Sequence, residues 1–319
     1  VYDYQKIPGA TILKKEALPG PEEIQKLGLT DFVGATTDGH YGAAAFDFRS
    51  PHDPLIARKS WFFFDDVYVC LGAGISSRDR ESAVATTLNQ CHLRGDVLIS
   101  GAGGRMQAAD ENRSYSDVEW VYHDGVGYAF PQPTRIHLQS EAVEGSWWRI
   151  NKQTDSPRDT MSLDVFKLWL NHGIRPSDAA YAYMIYPAVS PEEMPGRVAE
   201  QEISILTNRP ELQAVYHAGL QQWQAVFYEA GTIQMGGESW LRAHAPGIVV
   251  LRRSPSGRLQ ITVSDPNRTL DQYRLTLNHV IPSSGPGFRT FQDNDTATTE
   301  VIIDLPTGNY RGSSVMVQL

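Results

Sequence analysis

Moving a proton needs a titratable side chain beside a partner that sets its charge, and this sequence has few such pairs. His123-Asp124 and Asn171-His172 are the most suggestive. An imidazole beside a carboxylate can act as a general acid or base, and an amide beside an imidazole can hold a substrate carboxylate. Both pairs fall at strand ends or turns, where satisfying the local backbone is the competing role. Tyr181, Tyr183 and Tyr186 carry phenols that can transfer protons, but in one apolar run they read as packing residues.

Binding has more candidates than catalysis. Asn89 and Gln90 close a strand with amides able to hydrogen-bond sugar hydroxyls or the neighbouring backbone. Trp147 and Trp148 can stack on a sugar ring, and strand alternation would leave at most one of them free. Arg49 and His52 flank a loop from which they can meet an anion. No metalloprotease motif, phosphate loop, dinucleotide fingerprint or nucleophile elbow occurs. The reading therefore assigns no catalytic residue, no metal ligand and no cofactor within the chain.

The elements that position these residues read as strands. Positions 61–64 and 67–71 are two aromatic and β-branched runs split by Asp65-Asp66, the pattern of a hairpin with acids at its tip. Gly72 and Gly74 are expected to end its second strand. Further strands are predicted over 41–48, 83–89, 97–100, 118–123, 127–130, 135–138, 165–170 and 181–187, with one short helix within 191–200. Positions 12–30 read as a long surface loop. After a turn at Asn208-Arg209-Pro210, runs at 214–216, 224–228, 247–252, 259–263, 273–277 and 301–305 continue the pattern. Short strands punctuated by Gly and Pro argue for an all-β chain, a large antiparallel β-sandwich over 1–207 and a smaller antiparallel β-domain over 208–319.

Bulk properties exclude several classes. The 319 residues carry 37 acids against 28 Lys and Arg, a net charge of −9, which argues against nucleic acid as a partner. No apolar run reads as long enough for a membrane span, and no stretch of these residues reads as a signal peptide. The first residue is Val, which reads as a processed start. Cys70 and Cys91 allow either a disulfide or two free thiols.

The stretch KSWFFFDDVYVCLGAGI at 59–75 resembles the signature of the central sandwich of polysaccharide lyase family 8, which includes chondroitin AC, hyaluronan and xanthan lyases. TTLNQ at 86–90, HDGVGYAFP at 123–131, GSWWRIN at 145–151, DVFKLWLNHG at 164–173 and YAYMIYP at 181–187 extend the resemblance. LQAVYH at 212–217 and VSDP at 263–266 carry it into the smaller domain. It implies β-elimination on an acidic polysaccharide such as chondroitin sulfate or hyaluronan, in a secreted or periplasmic protein. It also implies that an Asn, His, Tyr and Arg set belongs to an N-terminal helical domain absent here, with an assisting Glu just before Val1. This chain would then form one wall of the substrate cleft and expose an apolar face to the missing half. A free-standing carbohydrate-binding module is the alternative. Compared with the chondroitin AC pattern, a sugar-stacking Trp is replaced near Ile24. Of a calcium-binding segment matching 1–15, Asp3 remains while Gln5, Lys14 and Lys15 are poor oxygen ligands.

Overall fold

A twenty-residue strand that contains two prolines cannot keep the same neighbours along its whole length, because proline has no backbone N–H to give the ladder. Here that strand organises the larger unit. The structure, a computed structural model, describes residues 1–23, 25–101, 105–200, 202–281 and 283–319. It opens with β1 (Thr11–Leu13), β2 (Val33–Thr37), β3 (Gly42–Arg49), β4 (Ile56–Phe63), β5 (Tyr68–Ser76) and β6 (Ala83–His92). Then come β7 (Leu98–Gly101), β8 (Met106–Ala108), β9 (Arg113–His123), β10 (Val126–Gly145), β11 (Met161–Ile174) and β12 (Ala179–Pro187), all paired antiparallel. The expected surface loop thus starts with a strand, since Thr11–Leu13 pairs with β6.

The first part of β10, Val126–Ala129, pairs with β12. Its second part, His137–Gly145, pairs with β11 instead. Between them lie Pro131 and Pro133, where the ladder to β9 also shifts register between Ala129 and Thr134. The two strands expected over 127–130 and 135–138 are therefore one strand that changes layer at its prolines. One layer contains the end of β9, the start of β10, β12, β5, β4, β3 and β2, while the start of β9 follows β10 past its prolines. The other contains the end of β10, β11, β6 and β1. Between them is an apolar core that includes Ile75, Leu88, Val121, Ile136, Phe166 and Leu168, each no more than 3% exposed.

The Asp65-Asp66 hairpin forms as expected, with the Phe64 N–H donating to the Val67 carbonyl at 3.0 Å. The two glycines do not end its second strand, and β5 continues to Ser76. Gly74, at φ +63°, sits in a bulge where the pairing slips between Arg58 and Ile56. Gly72 lies under the Tyr181 ring, and a Cβ there would be 2.2 Å from a ring carbon. Here the missing side chain is what lets the two strands' side chains pack.

The smaller unit begins with β13 (Ile203–Asn208), β14 (Leu212–His217) and β15 (Gln222–Phe227), in a six-stranded antiparallel sheet that faces a five-stranded one. The position 207/208 falls inside β13. A third apolar cluster joins the two units: Phe62, Val69, Leu71 and Met184 pack with Val215, Val226 and Ile248. Polar contacts reinforce this junction. The Tyr228 hydroxyl donates to the Lys59 carbonyl at 2.7 Å, and the Asn208 amide donates to the Tyr181 carbonyl at 3.0 Å.

Candidate functional site

Where β10 changes layer, the strands separate and leave a cleft of about 710 Å³, lined by Pro131, Pro133, Arg135, Asn171, His172 and Tyr181 among others. This cleft collects an Arg, an Asn, a His and a Tyr from distant parts of the sequence. Their environments decide what they can do. The His172 Nε2 is 2.8 Å from the Thr86 hydroxyl, which in turn is 2.8 Å from the Thr11 hydroxyl. Burial, with a smaller contribution from the Lys59 charge, pushes the His172 pKa down to about 4. Tyr181 is buried and hydrogen-bonded to Thr11, and burial pushes its phenol well above the ordinary value. A phenolic base needs the opposite, nearby cations and a lowered pKa. His172 and Tyr181 are both neutral at pH 7, and they pin the layers together. Asn171 has its Oδ1 tied to the Gly173 N–H at 2.9 Å, the backbone-capping role.

The other end of β10 is quite different. Trp147 and Trp148 do not lie on a strand; they form the first turn of a short helix, α1 (Trp147–Ile150), after the extended Ser146. Ser146 takes the N-cap position in extended backbone but makes no side-chain bond to the first turn. Trp147 is 59% exposed. Trp148 is half-buried beneath the Arg158 guanidinium, 4.2 Å from its ring centroid. Tyr2 and Tyr4 meet edge to face at 5.3 Å beside Trp147, around a hollow of about 270 Å³ completed by Ile150, Met161 and Leu163. Tyr2, Tyr4, Trp147, Ile150 and Met161 are each more than 40% exposed, which makes this end an exposed apolar patch.

The remaining candidates do not join either end. The Gln90 amide donates to the carbonyls of Asp3 and Lys6, both at 2.9 Å, and its oxygen accepts the Asp3 N–H at 2.8 Å. It clamps the first residues of the chain onto β6. Asn89 is half-buried and donates to the Tyr128 hydroxyl. Arg49 and His52 are exposed near the loop whose Asp53 pairs with Lys15. The six candidates are thus spread over the larger unit. Tyr2, Tyr4, Gln132 and Arg135 are residues the sequence reading missed. The prolines around Gln132 were the signal for the cleft, since two missing N–H donors mark a place where a ladder must break.

His123 also has a neighbour that the sequence did not suggest. Its Nε2 accepts the Arg94 N–H at 3.1 Å, which puts the ring proton on Nδ1, 3.6 Å from the Cys91 sulfur. The ring therefore offers the thiol a donor and cannot take its proton. Burial raises the Cys91 thiol pKa and lowers that of His123, so the pair is chemically quiet. Cys70 and Cys91 are both free.

With this geometry in hand, comparison with known proteins is decisive. The family model described as polysaccharide lyase family 8, super-sandwich domain, matches residues 1–198, and that of the C-terminal beta-sandwich domain matches 204–274. The chain belongs to polysaccharide lyase family 8. Within that family, a chondroitinase-AC of Pedobacter heparinus is 35% identical over 319 residues, covering 99% of this chain and 42% of the relative. A hyaluronate lyase of Thermasporomyces composti is 30% identical over 315 residues, covering 96% and 39%. A chondroitinase AC lyase solved as oligosaccharide complexes superposes with a TM-score of 0.83 at 33% identity, over 99% of this chain and 44% of that one. A Streptomyces coelicolor A3 chondroitin AC lyase solved with chondroitin sulphate gives 0.78 at 25%, over 99% and 40%. The chain spans about two fifths of the length of the curated lyases named here.

The calcium-binding pattern expected from the chondroitin AC resemblance does not fit residues 1–15. Asp3 accepts the Gln5 N–H at 2.9 Å and faces the Lys167 ammonium at 3.8 Å, while Lys14 and Lys15 add positive charge. Among the described residues, no group of three or more His, Cys, Asp or Glu is placed to hold a metal. The expected tryptophan replacement, near Ile24, lies outside the described residues.

Proposed function

We propose that this chain is the β half of a polysaccharide lyase that cleaves uronic-acid-containing glycosaminoglycans, of chondroitin sulfate or hyaluronan type, by β-elimination. The match of both units to one lyase family carries the reading. The catalytic helical half lies outside these 319 residues, and the protein works outside the cytoplasm, where such polysaccharides are met. In the reaction, a base takes the C5 proton of the uronate, the C4–O bond breaks, and the leaving oxygen gains a proton. A C4=C5 double bond remains. The neutral, buried His172 and Tyr181 support placing that base elsewhere.

On this reading the exposed patch at Trp147 lies where the helical half meets the sandwich. Trp147 is the sugar-stacking candidate of the Trp pair, and Arg49 and His52 are the exposed candidates for contact with substrate anions. The test is the ultraviolet absorbance of unsaturated uronate on chondroitin sulfates and hyaluronan. The full-length protein is expected to produce it and the 319-residue chain is not. Product from the chain alone would place the chemistry within these residues. A free-standing carbohydrate-binding module is the second reading, favoured by the exposed Trp147 beside Tyr2 and Tyr4. It requires that no lyase activity accompany the full-length protein.

A further inference from the structure

We propose that the cleft at the β10 kink is a binding site for a short acidic saccharide, with Arg135 as the residue that receives its carboxylate. The proposal takes the class of saccharide from the reading above, but the site itself rests on what lines the cleft. Its volume, about 710 Å³, is in the range of small-molecule sites, and it lies at the junction of the two units, a common place for them. The chain holds 37 acids, yet no Asp or Glu is among the described residues lining this cleft.

Some donors in the lining are taken: the Asn208 amide bonds to the Gly72 and Tyr181 carbonyls, and His172 bonds to Thr86. Arg135 is exposed and has no ion pair among the described residues. A guanidinium presents a planar fork that fits a carboxylate with two parallel hydrogen bonds. Gln132, Thr134 and Ser204 add an amide and two hydroxyls. Asn171 is held in place by its oxygen, which leaves its amide N–H groups free. Lys59, buried beyond the His172 end, adds positive charge: its influence is among the causes that lower the His172 pKa. Such a lining favours an anion with hydroxyls around it. Half-buried Ile205 offers apolar surface for the face of a sugar ring.

The site is distinct from the Trp147 patch. Eleven steps along β10 separate Thr134 from Gly145, roughly 36 Å at about 3.3 Å per residue. A single polysaccharide chain could touch both only by running the length of the sandwich.

The test is calorimetric titration with a hyaluronan tetrasaccharide, whose only charges are carboxylates, and with its methyl ester. The 319-residue chain is titrated as Trp147→Ala, to remove the other aromatic contact, and as Trp147→Ala with Arg135→Ala or Arg135→Lys. The expected result is that Trp147→Ala still binds, that adding Arg135→Ala weakens binding at least tenfold, and that Arg135→Lys falls between them. The methyl ester should bind at least tenfold more weakly to Trp147→Ala and no more weakly still once Arg135 is gone. Absence of binding to Trp147→Ala, an unchanged affinity on adding Arg135→Ala, or equal affinity for the ester would each overturn the site. If any of these accompanies unsaturated uronate from the full-length protein, the cleft fails and the lyase reading stands. Binding as expected without that product leaves the cleft and removes the lyase reading.

Discussion

The two ends of strand β10 hold aromatic residues in opposite ways. At the Pro131–Pro133 kink, Tyr181 and Tyr183 are at most 5% exposed, and the polar groups around them, Thr11, Thr86 and His172, bond to one another. At the Gly145 end, Tyr2, Tyr4 and Trp147 are each about half exposed. The difference teaches that residue type alone does not make a site. The kink end has the His and Tyr that proton transfer would use, but burial makes the imidazole a weak base and keeps the phenol from ionising. The open end has no titratable pair of that kind and exposes the surface that a partner or sugar ring can cover.

This contrast can be broken by mutation, and the largest effect should come from the core between the layers. Phe166 is fully buried and stacks on His123 with ring centroids 4.4 Å apart. Phe166→Ala should cost about 3–5 kcal/mol in urea unfolding. A cost below about 1 kcal/mol would mean that the layers do not close on each other there.

The buried charges come next, and each has a pH window. Burial pushes Lys59 from its ordinary 10.5 to about 8, so between those values the unfolded chain holds more protons than the folded one. Stability then rises with pH across that window. The wild type should gain on Lys59→Met by up to about 3 kcal/mol between pH 8 and 10.5. His172 behaves likewise between about 4 and 6.5, so acidification through that range destabilises the wild type relative to His172→Gln by a similar amount, about 3 kcal/mol at most. Urea midpoints of each pair across pH test this, and parallel curves would show that these groups are not buried as described.

Gln90→Leu removes three hydrogen bonds to the first residues of the chain and should cost about 1–3 kcal/mol. It should also speed amide exchange at Asp3, the backbone N–H that Gln90 holds. The smallest change is expected at the open end. Trp147→Ala should shift stability by no more than about 0.5 kcal/mol, since the ring is mostly in water. A larger loss would make Trp147 part of the folded core.

Much of the fold was legible because alternating apolar residues and turn signals are local. The Asp65-Asp66 hairpin and most strands of the larger unit could be read this way. Where the reading went wrong, a distant partner decided the outcome. Pro131 and Pro133 looked like the gap between two strands, and only the exchange of β12 for β11 makes them a bend in one. Gly72 looked like a strand end, and only the ring of Tyr181, 109 positions later, explains it. The site was less legible for the same reason. Gln90 and Asn89 have the chemistry of sugar contacts, but their actual partners, at Asp3, Lys6 and Tyr128, come from folding. Arg135 gives no local signal at all.

The apolar face shared by the two units also governs how the chain comes apart. Phe62, Val69 and Leu71 of one unit have their cover in Val215, Val226 and Ile248 of the other. Neither unit can melt without wetting the other's face, so heating should give one calorimetric transition, not two. A truncation after Asn208 would leave that face bare on a long sheet, and the shortened protein should collect in the insoluble fraction. The junction is thus a shared wall, and the two β-units are expected to unfold as a single cooperative body.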